Sequence, residues 1–169
     1  MKKMNMISIQ KNREFIFISS YIMRGPLSFR DPEQDSNYLP IGISSRELGR
    51  LARDKLNKSK WIDDVFIFNK ILMSEKVQSS QKNREKELRI RFGYKTKKAI
   101  YQYMDFLAIH TDCEQIIIIP KHQYGLASYT GVQDKDGEII EFKYPLDISD
   151  DELGNAINEA FKYCTSIYK

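Results

Sequence analysis

Cysteine, histidine and long apolar runs are scarce in this chain of 169 residues, which contains two cysteines and two histidines. Cys113 and Cys164 form neither a CxxC motif nor a recognisable ligand spacing, so we expect two free thiols rather than a zinc site or a disulfide framework. No run approaches the roughly 18 apolar residues of a membrane-spanning helix. Polar residues interrupt the N-terminal apolar run before it resembles a signal peptide. The composition therefore predicts a cytoplasmic domain.

The sequence also lacks the common motifs of catalytic and ligand sites, including glycine-rich phosphate loops, HExxH, EF-hand and GxSxG patterns. His110 and His122 are candidates for general acid–base chemistry, but no sequence rule brings them together. The carboxylates of Asp134 and Asp136 are spaced like part of a metal site. However, Asp136-Gly137 fits a hairpin turn better. We therefore predict no enzyme, no metal site and no cofactor.

What the chain does contain is a heptapeptide that occurs twice. Ile43–Gly49 reads ISSRELG and Ile148–Gly154 reads ISDDELG, with five of seven residues identical. In each copy a serine stands three residues before the glutamate, the pattern of a capping box that begins a helix. Apolar residues then recur at helical spacing. These features predict a pseudo-repeat near residues 38–60 and 144–165, in which an extended entry leads into a capped amphipathic helix.

A glycine lies within the first two turns of both predicted helices, at Gly49 and Gly154. Each glycine costs about 1 kcal/mol relative to alanine in a helix interior. The same cost at the same place in both copies predicts a shared reason, namely a close crossing of the helix backbone and the sheet where a Cβ atom would clash. The alternative is that both glycines are merely tolerated.

The rest of the chain predicts a sheet between these helices. Short runs rich in apolar residues predict strands at Glu14–Met23, Val65–Leu72, Leu88–Phe92, Asp105–His110, Gln115–Ile119, Leu126–Thr130 and Glu138–Phe142. Val65–Leu72 also fits a buried helical segment. Arg24–Tyr38 is predicted to be a loop, and residues 74–85 a mobile surface loop because they are polar. The fold class is therefore α+β, with residues 1–169 as a single domain and a largely antiparallel central sheet flanked by two pseudo-repeated amphipathic helices.

Charge is unevenly distributed along the chain. Asp134–Glu159 contains nine acids and two bases, a net charge of −7. Because the whole chain has a net charge of +4, the other residues together carry +11. Lys82–Lys98 contains eight bases together with Phe92 and Tyr94. Bases neutralise phosphates and aromatic rings stack on nucleobases, so this segment supports an alternative function as a basic RNA- or DNA-binding module. However, Arg89 and Arg91 alternate with apolar residues as they would on any solvated strand face, and we favour that interpretation.

Several segments together resemble a known family. The chain resembles the contact-dependent growth inhibition immunity proteins of bacteria. The similar segments are the helix-start motif Ile148–Gly154 with its continuation ELGNAINEAF, the related Ser44–Leu56, Phe92–Thr96 and Ile116–Pro120. The resemblance implies a cytoplasmic protein without enzymatic activity. It implies a heterodimer with the C-terminal domain of a cognate toxin, very often a nuclease, and neutralisation by covering the active site or substrate-binding surface. It implies no membrane or small-molecule partner.

The resemblance transfers no binding residues, so the candidate residues come from charge. A nuclease usually presents a basic cleft, and carboxylates that imitate phosphates raise the association rate and specificity. The predicted toxin-binding residues are Asp134, Asp136, Glu138 and Glu141 on the hairpin, followed by Asp150 and Asp151 at the second helix start. The overall positive charge leaves open an acidic toxin, or an interface centred on tyrosine and arginine anchors.

Overall fold

A computed structural model describes residues 3–34 and 37–169, and within them ten strands and five helices. Residues 1–2 of the N-terminal run and 35–36 of the predicted loop lie outside the described residues. The first half contains β1 (Asn5–Lys11), β2 (Phe15–Arg24), β3 (Leu27–Arg30), β4 (Asn37–Pro40), α1 (Ser45–Lys58) and β5 (Lys60–Trp61). Three helices follow, α2 (Val65–Leu72), α3 (Glu75–Phe92) and α4 (Lys97–Tyr101). The second half contains β6 (Asp105–Thr111), β7 (Gln115–Gly125), β8 (Ser128–Gly131), β9 (Phe142–Pro145), α5 (Asp150–Phe161) and β10 (Thr165–Ser166).

The strands form one sheet, and its centre is the antiparallel pair β1–β6, in which Ser8 lies opposite Ala108. β2 pairs antiparallel with β1, and β7 pairs antiparallel with β6. Each of these two strands also pairs with a short parallel strand, β5 on β2 and β10 on β7. The α+β class with a largely antiparallel sheet is confirmed.

The two halves repeat the same strand pairing. Ile9 faces Ile18 in the first half as Ile109 faces Ile118 in the second. Likewise, β4 lies antiparallel to β2 as β9 lies antiparallel to β7. A pseudo-twofold axis therefore passes beside the central Ser8–Ala108 pair. Two features depart from this symmetry. Helices α2–α4 occur only once in the described chain, and the connection between β8 and β9 has ten residues whereas that between β3 and β4 has six.

The sheet is covered on both faces. The first face carries Ile7, Ile9, Leu107 and Ile109, which pack with the apolar side chains of α1 and α5. The second face carries aromatic residues of β2, and these pack with α3 and α4. Because successive side chains of a strand point to opposite faces, β2 contributes to both layers. The two pseudo-repeated helices flank the sheet as predicted.

The two helix glycines lie where α1 and α5 cross each other. A Cβ atom at Gly49 would stand 1.8 Å from the Asp150 carbonyl oxygen, and one at Gly154 would stand 1.6 Å from the Ser45 carbonyl oxygen. The predicted close approach is therefore present. The predicted partner was wrong, because each glycine admits the backbone of the other helix rather than the sheet.

The two serine caps are present, but only one forms a complete capping box. Ser149 accepts the N–H of Glu152, and the Glu152 carboxylate accepts the N–H of Ser149. Ser44 likewise accepts the N–H of Glu47 at 3.2 Å. The Glu47 carboxylate binds Arg50 at 2.6 and 2.9 Å instead of returning to the cap. The reciprocal half of the box predicted at Ser44 is thus wrong.

Two helices, α2 and α3, occupy segments that the sequence predicts as strand or loop. Val65–Leu72 is α2 rather than a strand, because the Asp64 carboxylate accepts the N–H groups of Phe66 and Ile67 and begins a helix. The predicted loop at 74–85 and the predicted strand Leu88–Phe92 are both part of α3. Ser74 caps the start of α3 and Gly93, with φ of 72°, ends it. Caps and good helix formers override the low apolar content that suggested a loop.

Two other boundaries differ from the sequence prediction. β3 lies inside the predicted loop Arg24–Tyr38, because Gly25, with φ of 58°, turns the chain back so that β3 pairs with β2. The strand predicted at Glu138–Phe142 begins only at Phe142. Before it, the chain makes a single bridge between Gln133 and Ile139.

Candidate functional site

The predicted acidic hairpin is present only as a short turn in the connection between β8 and β9, closed by the Gln133–Ile139 bridge, because β8 and β9 each pair with β7 and not with each other. The Asp134 carboxylate accepts the N–H groups of Asp136 at 2.8 Å and Glu138 at 3.0 Å, and Gly137 has a φ of 83°. Asp134 thus shapes the turn, as aspartate does in many tight turns. Asp136 and Glu138 are exposed. The hairpin therefore carries three exposed acids, of which Asp134 also holds the backbone of the turn.

Glu141 lies at the base of the same hairpin. Its carboxylate is 3.3 Å from the Lys143 ammonium group, and about a third of its side chain is exposed. Burial lowers the pKa of nearby His110, while the negative charge of Glu141 acts in the opposite direction. Glu141 is therefore partly neutralised and is a weaker candidate for a partner contact than Asp136 or Glu138.

The two acids at the start of α5 have different surroundings. Asp150 is 2.8 Å from the Arg53 guanidinium, and Arg53 also donates to the carbonyl groups of Leu146 and Ile148. Asp150 therefore ties α5 to α1. Asp151 is exposed in the first turn, where the helix dipole favours negative charge. Only Asp151 of this pair is available to a partner.

A shallow groove beside α5 was missed by the sequence prediction. Its volume is about 630 Å³, and it lies between β9 and α5. The described residues that line it include three acids and no base: Tyr144, Pro145, Asp147, Ile148, Glu152, Asn155, Ala156 and Glu159. Hydrogen bonds from Ser149 lower the pKa of Glu152, so this carboxylate stays ionised. The groove thus places three further acids on one side of α5.

The basic segment Lys82–Lys98 does not offer the aromatic platforms that nucleic-acid stacking needs. Phe92 stacks on Phe15 with ring centroids 4.8 Å apart, and the Tyr94 hydroxyl accepts a hydrogen bond from Asn12. Both aromatic side chains are engaged in the second layer of the core. Arg84, counted among the eight bases, is buried. This arrangement weakens the alternative of an RNA- or DNA-binding module.

The two histidines lie on different strands, and neither is placed in a catalytic constellation. His122 Nδ1 is 2.7 Å from the Thr165 hydroxyl, a contact between β7 and β10. His110 lies on β6 opposite Ile117. No cluster of three or more histidine, cysteine or carboxylate side chains suited to a metal occurs in residues 3–34 and 37–169. Cys113 and Cys164 are free thiols.

An exposed apolar surface on α2 is a second feature that the sequence did not indicate. Phe66 is 82% exposed, and Val65, Ile67 and Met73 are exposed around it. Only Phe68 of this helix is buried. Large exposed apolar patches mark interaction surfaces in many proteins. Within the described part of the chain, no helix is both long enough and apolar enough to cross a membrane.

Comparisons with known proteins agree with one another. The family model described as CDI immunity protein matches residues 5–164. Immunity protein CdiI-YPIII of Yersinia pseudotuberculosis serotype O:3 (strain YPIII) is 24% identical over 178 residues, covering 93% of each chain. A protein of unknown function, NMB0488 from Neisseria meningitidis, has a TM-score of 0.82 at 20% identity, with 96% of both chains covered. A chain of the CdiA-CT/CdiI toxin and immunity complex from Yersinia pseudotuberculosis has a TM-score of 0.81 at 22% identity, covering 96% of this chain and 98% of that one.

Proposed function

Because the chain belongs to the CDI immunity protein family, we propose that it neutralises a cognate toxin by binding the toxin's C-terminal domain and occluding its active site or substrate-binding surface. The family match spans most of the chain, and a solved structure of similar fold comes from a toxin and immunity complex. The proposed place of action is the cytoplasm, where the two proteins form a heterodimer. Neutralisation is stoichiometric and requires no reaction by the immunity protein itself.

The proposed toxin is a nuclease with a basic cleft, and the proposed contact surface is the acidic hairpin. The observation that carries this choice is the connection between β8 and β9. It is longer than its counterpart in the first half by four residues, ten against six, and its extra length holds the exposed carboxylates of Asp136 and Glu138. A feature that the internal repeat does not require is a good candidate for a specific role.

The six predicted contact residues then divide into two groups. Asp136, Glu138 and Asp151 are exposed and are proposed to meet the toxin directly. Asp134 and Asp150 hold the turn and the helix start in place, while Glu141 is shared with Lys143. Exposed carboxylates facing a basic cleft raise the association rate by long-range attraction, an effect that salt weakens.

Charge reversal tests the hairpin. Asp136→Lys and Glu138→Lys are each expected to slow association with the toxin domain about tenfold at low salt, because steering by rim charges acts mainly on the association rate. Glu114→Lys is the matched control, since Glu114 is an exposed acid in the turn between β6 and β7. Stopped-flow fluorescence at two salt concentrations measures the rates, and circular dichroism checks the fold.

The proposal for the hairpin fails if both variants associate as fast as Glu114→Lys at both salt concentrations. The interface then lies elsewhere, and the exposed apolar surface around Phe66 on α2 becomes the next surface to mutate. If no toxin domain binds the wild-type protein at all, the immunity function itself is refuted, which is a separate result from a misplaced interface.

A further inference from the structure

A polar cavity lies between the second face of the sheet and α3. Its volume is about 300 Å³, and Gln10, Arg30, Arg84, Tyr101 and Tyr129 are among its lining residues. Of the described residues that line it, two are arginines and none is a carboxylate. This volume is at the lower end of the range for ligand pockets, roughly 300–1,000 Å³. The cavity therefore has the size and the charge of a site for a small anion.

Arg84 is the central group of this cavity. It is only 7% exposed, and its Nε and Nη2 atoms have no hydrogen-bond partner within the described part of the chain. The guanidinium lies over the Phe17 ring, 4.1 Å from the ring centroid. It also contacts the Tyr38 hydroxyl. The packing thus fixes the guanidinium while leaving two donor atoms unpaired.

Arg30 adds a second positive charge at the same wall. Its Nε atom is buried and unpartnered among the described residues, and its guanidinium is 5.4 Å from the same Phe17 ring. Burial, together with the charge of Arg30, lowers the pKa of Arg84 to about 10. Arg84 therefore remains protonated at neutral pH. A buried guanidinium beside a second, partly buried one is costly unless an anion lies between or beside them.

The acids nearest to these arginines have other partners. Asp31, which borders an adjoining depression, is 2.8 Å from the Lys60 ammonium group. Glu85 accepts a hydrogen bond from Tyr101 at 3.0 Å, and Glu87 accepts one from Tyr38 at 3.5 Å. Asp31 lines that depression together with Arg30 and Arg84, but its ion pair is with Lys60. The ion pairs of the described residues thus leave both guanidinium groups without a carboxylate partner.

We propose that this cavity binds a small oxyanion of the phosphate class, held by the Arg30 and Arg84 guanidinium groups. Arginine N–H groups form paired, charge-assisted hydrogen bonds with planar or tetrahedral oxyanions. The Oε1 atom of Gln10 is a buried acceptor without a partner among the described residues, which suits the P–OH group of a hydrogen phosphate. Burial raises the pKa of Tyr129, so its hydroxyl keeps a proton to donate.

A thermal melt with inorganic phosphate tests this proposal. Added phosphate is expected to raise the Tm by about 3 °C or more at ten times its dissociation constant, relative to sodium chloride of equal ionic strength. Arg84→Met and Arg30→Met are each expected to abolish the rise, because each removes one donor group. Arg46→Met is the matched control, since Arg46 is exposed on α1, and it keeps the full rise.

Two results overturn the proposal. One is a wild-type Tm that phosphate raises no more than chloride does. The other is a rise that persists in both cavity variants. If the first result is accompanied by a weakened affinity of Arg84→Met for the toxin domain, the cavity is assigned to an acidic side chain of the toxin instead. Two variants are used because one of them alone could perturb folding, and circular dichroism identifies that case.

Discussion

Substituting Gly154 by alanine tests the helix crossing at the centre of this architecture. The new Cβ atom would lie 1.6 Å from the Ser45 carbonyl oxygen and 2.4 Å from the Ser45 carbonyl carbon. Real Cβ atoms essentially never approach a heavy atom closer than 3.0 Å. The clash is with backbone, so no flexible side chain can move aside. The two helices must therefore separate by about 1.4 Å, the difference between 3.0 and 1.6 Å.

The separation weakens the packing between α1 and α5. Leu48, Ala52, Leu153 and Ile157 are fully buried in the cluster that joins these helices to the sheet. A gap of 0.5–1 Å already loses about a quarter to a half of a contact's attraction, and overpacking of a core typically costs about 1–3 kcal/mol or more. Alanine recovers about 1 kcal/mol of helix propensity. We expect a net loss of about 2 kcal/mol, the upper end of the overpacking cost less the gain in propensity, and a fall in Tm of roughly 4–8 °C.

Urea denaturation followed by far-ultraviolet circular dichroism measures this loss. Gly42→Ala is the matched control, because a Cβ atom at Gly42 meets nothing within 4 Å, and its free energy of unfolding is expected to stay within about 0.5 kcal/mol of wild type. A Gly154→Ala protein as stable as Gly42→Ala would refute the close crossing. It would mean that the glycine is merely tolerated in the helix.

Two other predictions concern the Arg53 contacts and the thiols. Arg53→Ala is expected to lose about 1–2 kcal/mol of unfolding free energy, because it leaves Asp150 and two carbonyl groups without their donor. The control is Arg50→Ala, whose partner Glu47 is exposed on the same helix and which is expected to lose under about 0.5 kcal/mol. Equal losses of the two variants in urea denaturation would contradict this. Burial raises the pKa of Cys164 to about 11, so iodoacetamide at pH 8 is expected to label exposed Cys113 and to spare Cys164 in the native state. Fast labelling of Cys113→Ser under these conditions would show that Cys164 is accessible.

The parts of the fold that the sequence predicted correctly share a strong local signal. Ser44 and Ser149 stand directly before amphipathic helices, so cap and periodicity agree. The apolar runs of β2 and β7 could fit little except a buried strand. Where the helix caps and the pattern of apolar residues pointed to different structures, the prediction was wrong. α3 has only two buried residues, Arg84 and Leu88, so its sequence lacks the apolar stripe by which a helix is recognised, and its Ser74 and Gly93 caps were the only available evidence.

The candidate site was less predictable because exposure depends on tertiary contacts. Charge alone could not tell that Asp150 binds Arg53, a residue 97 positions away, or that Asp134 is used by its own turn. Nor could it show that Arg84, one of the eight bases counted in Lys82–Lys98, is buried. Local composition finds charged residues. Only the packing of distant segments shows which of them remain available to a partner.

The internal repeat explains part of the charge that first suggested an acidic interface. Asp150 and Arg53 meet where α5 crosses α1, and across the pseudo-twofold axis the corresponding positions are Ser45 and Asn158, which hydrogen bond at 3.3 Å. The same contact is thus made once by an ion pair and once by neutral groups, so the crossing does not require charge at either position. The shorter connection between β3 and β4 also carries acids, and there the Asp31 carboxylate accepts the N–H of Glu33 as the Asp134 carboxylate accepts that of Asp136. The aspartate near the start of each connection therefore shapes its own turn, and the exposed acids that follow it in the longer connection, Asp136 and Glu138, are the ones proposed to meet the toxin.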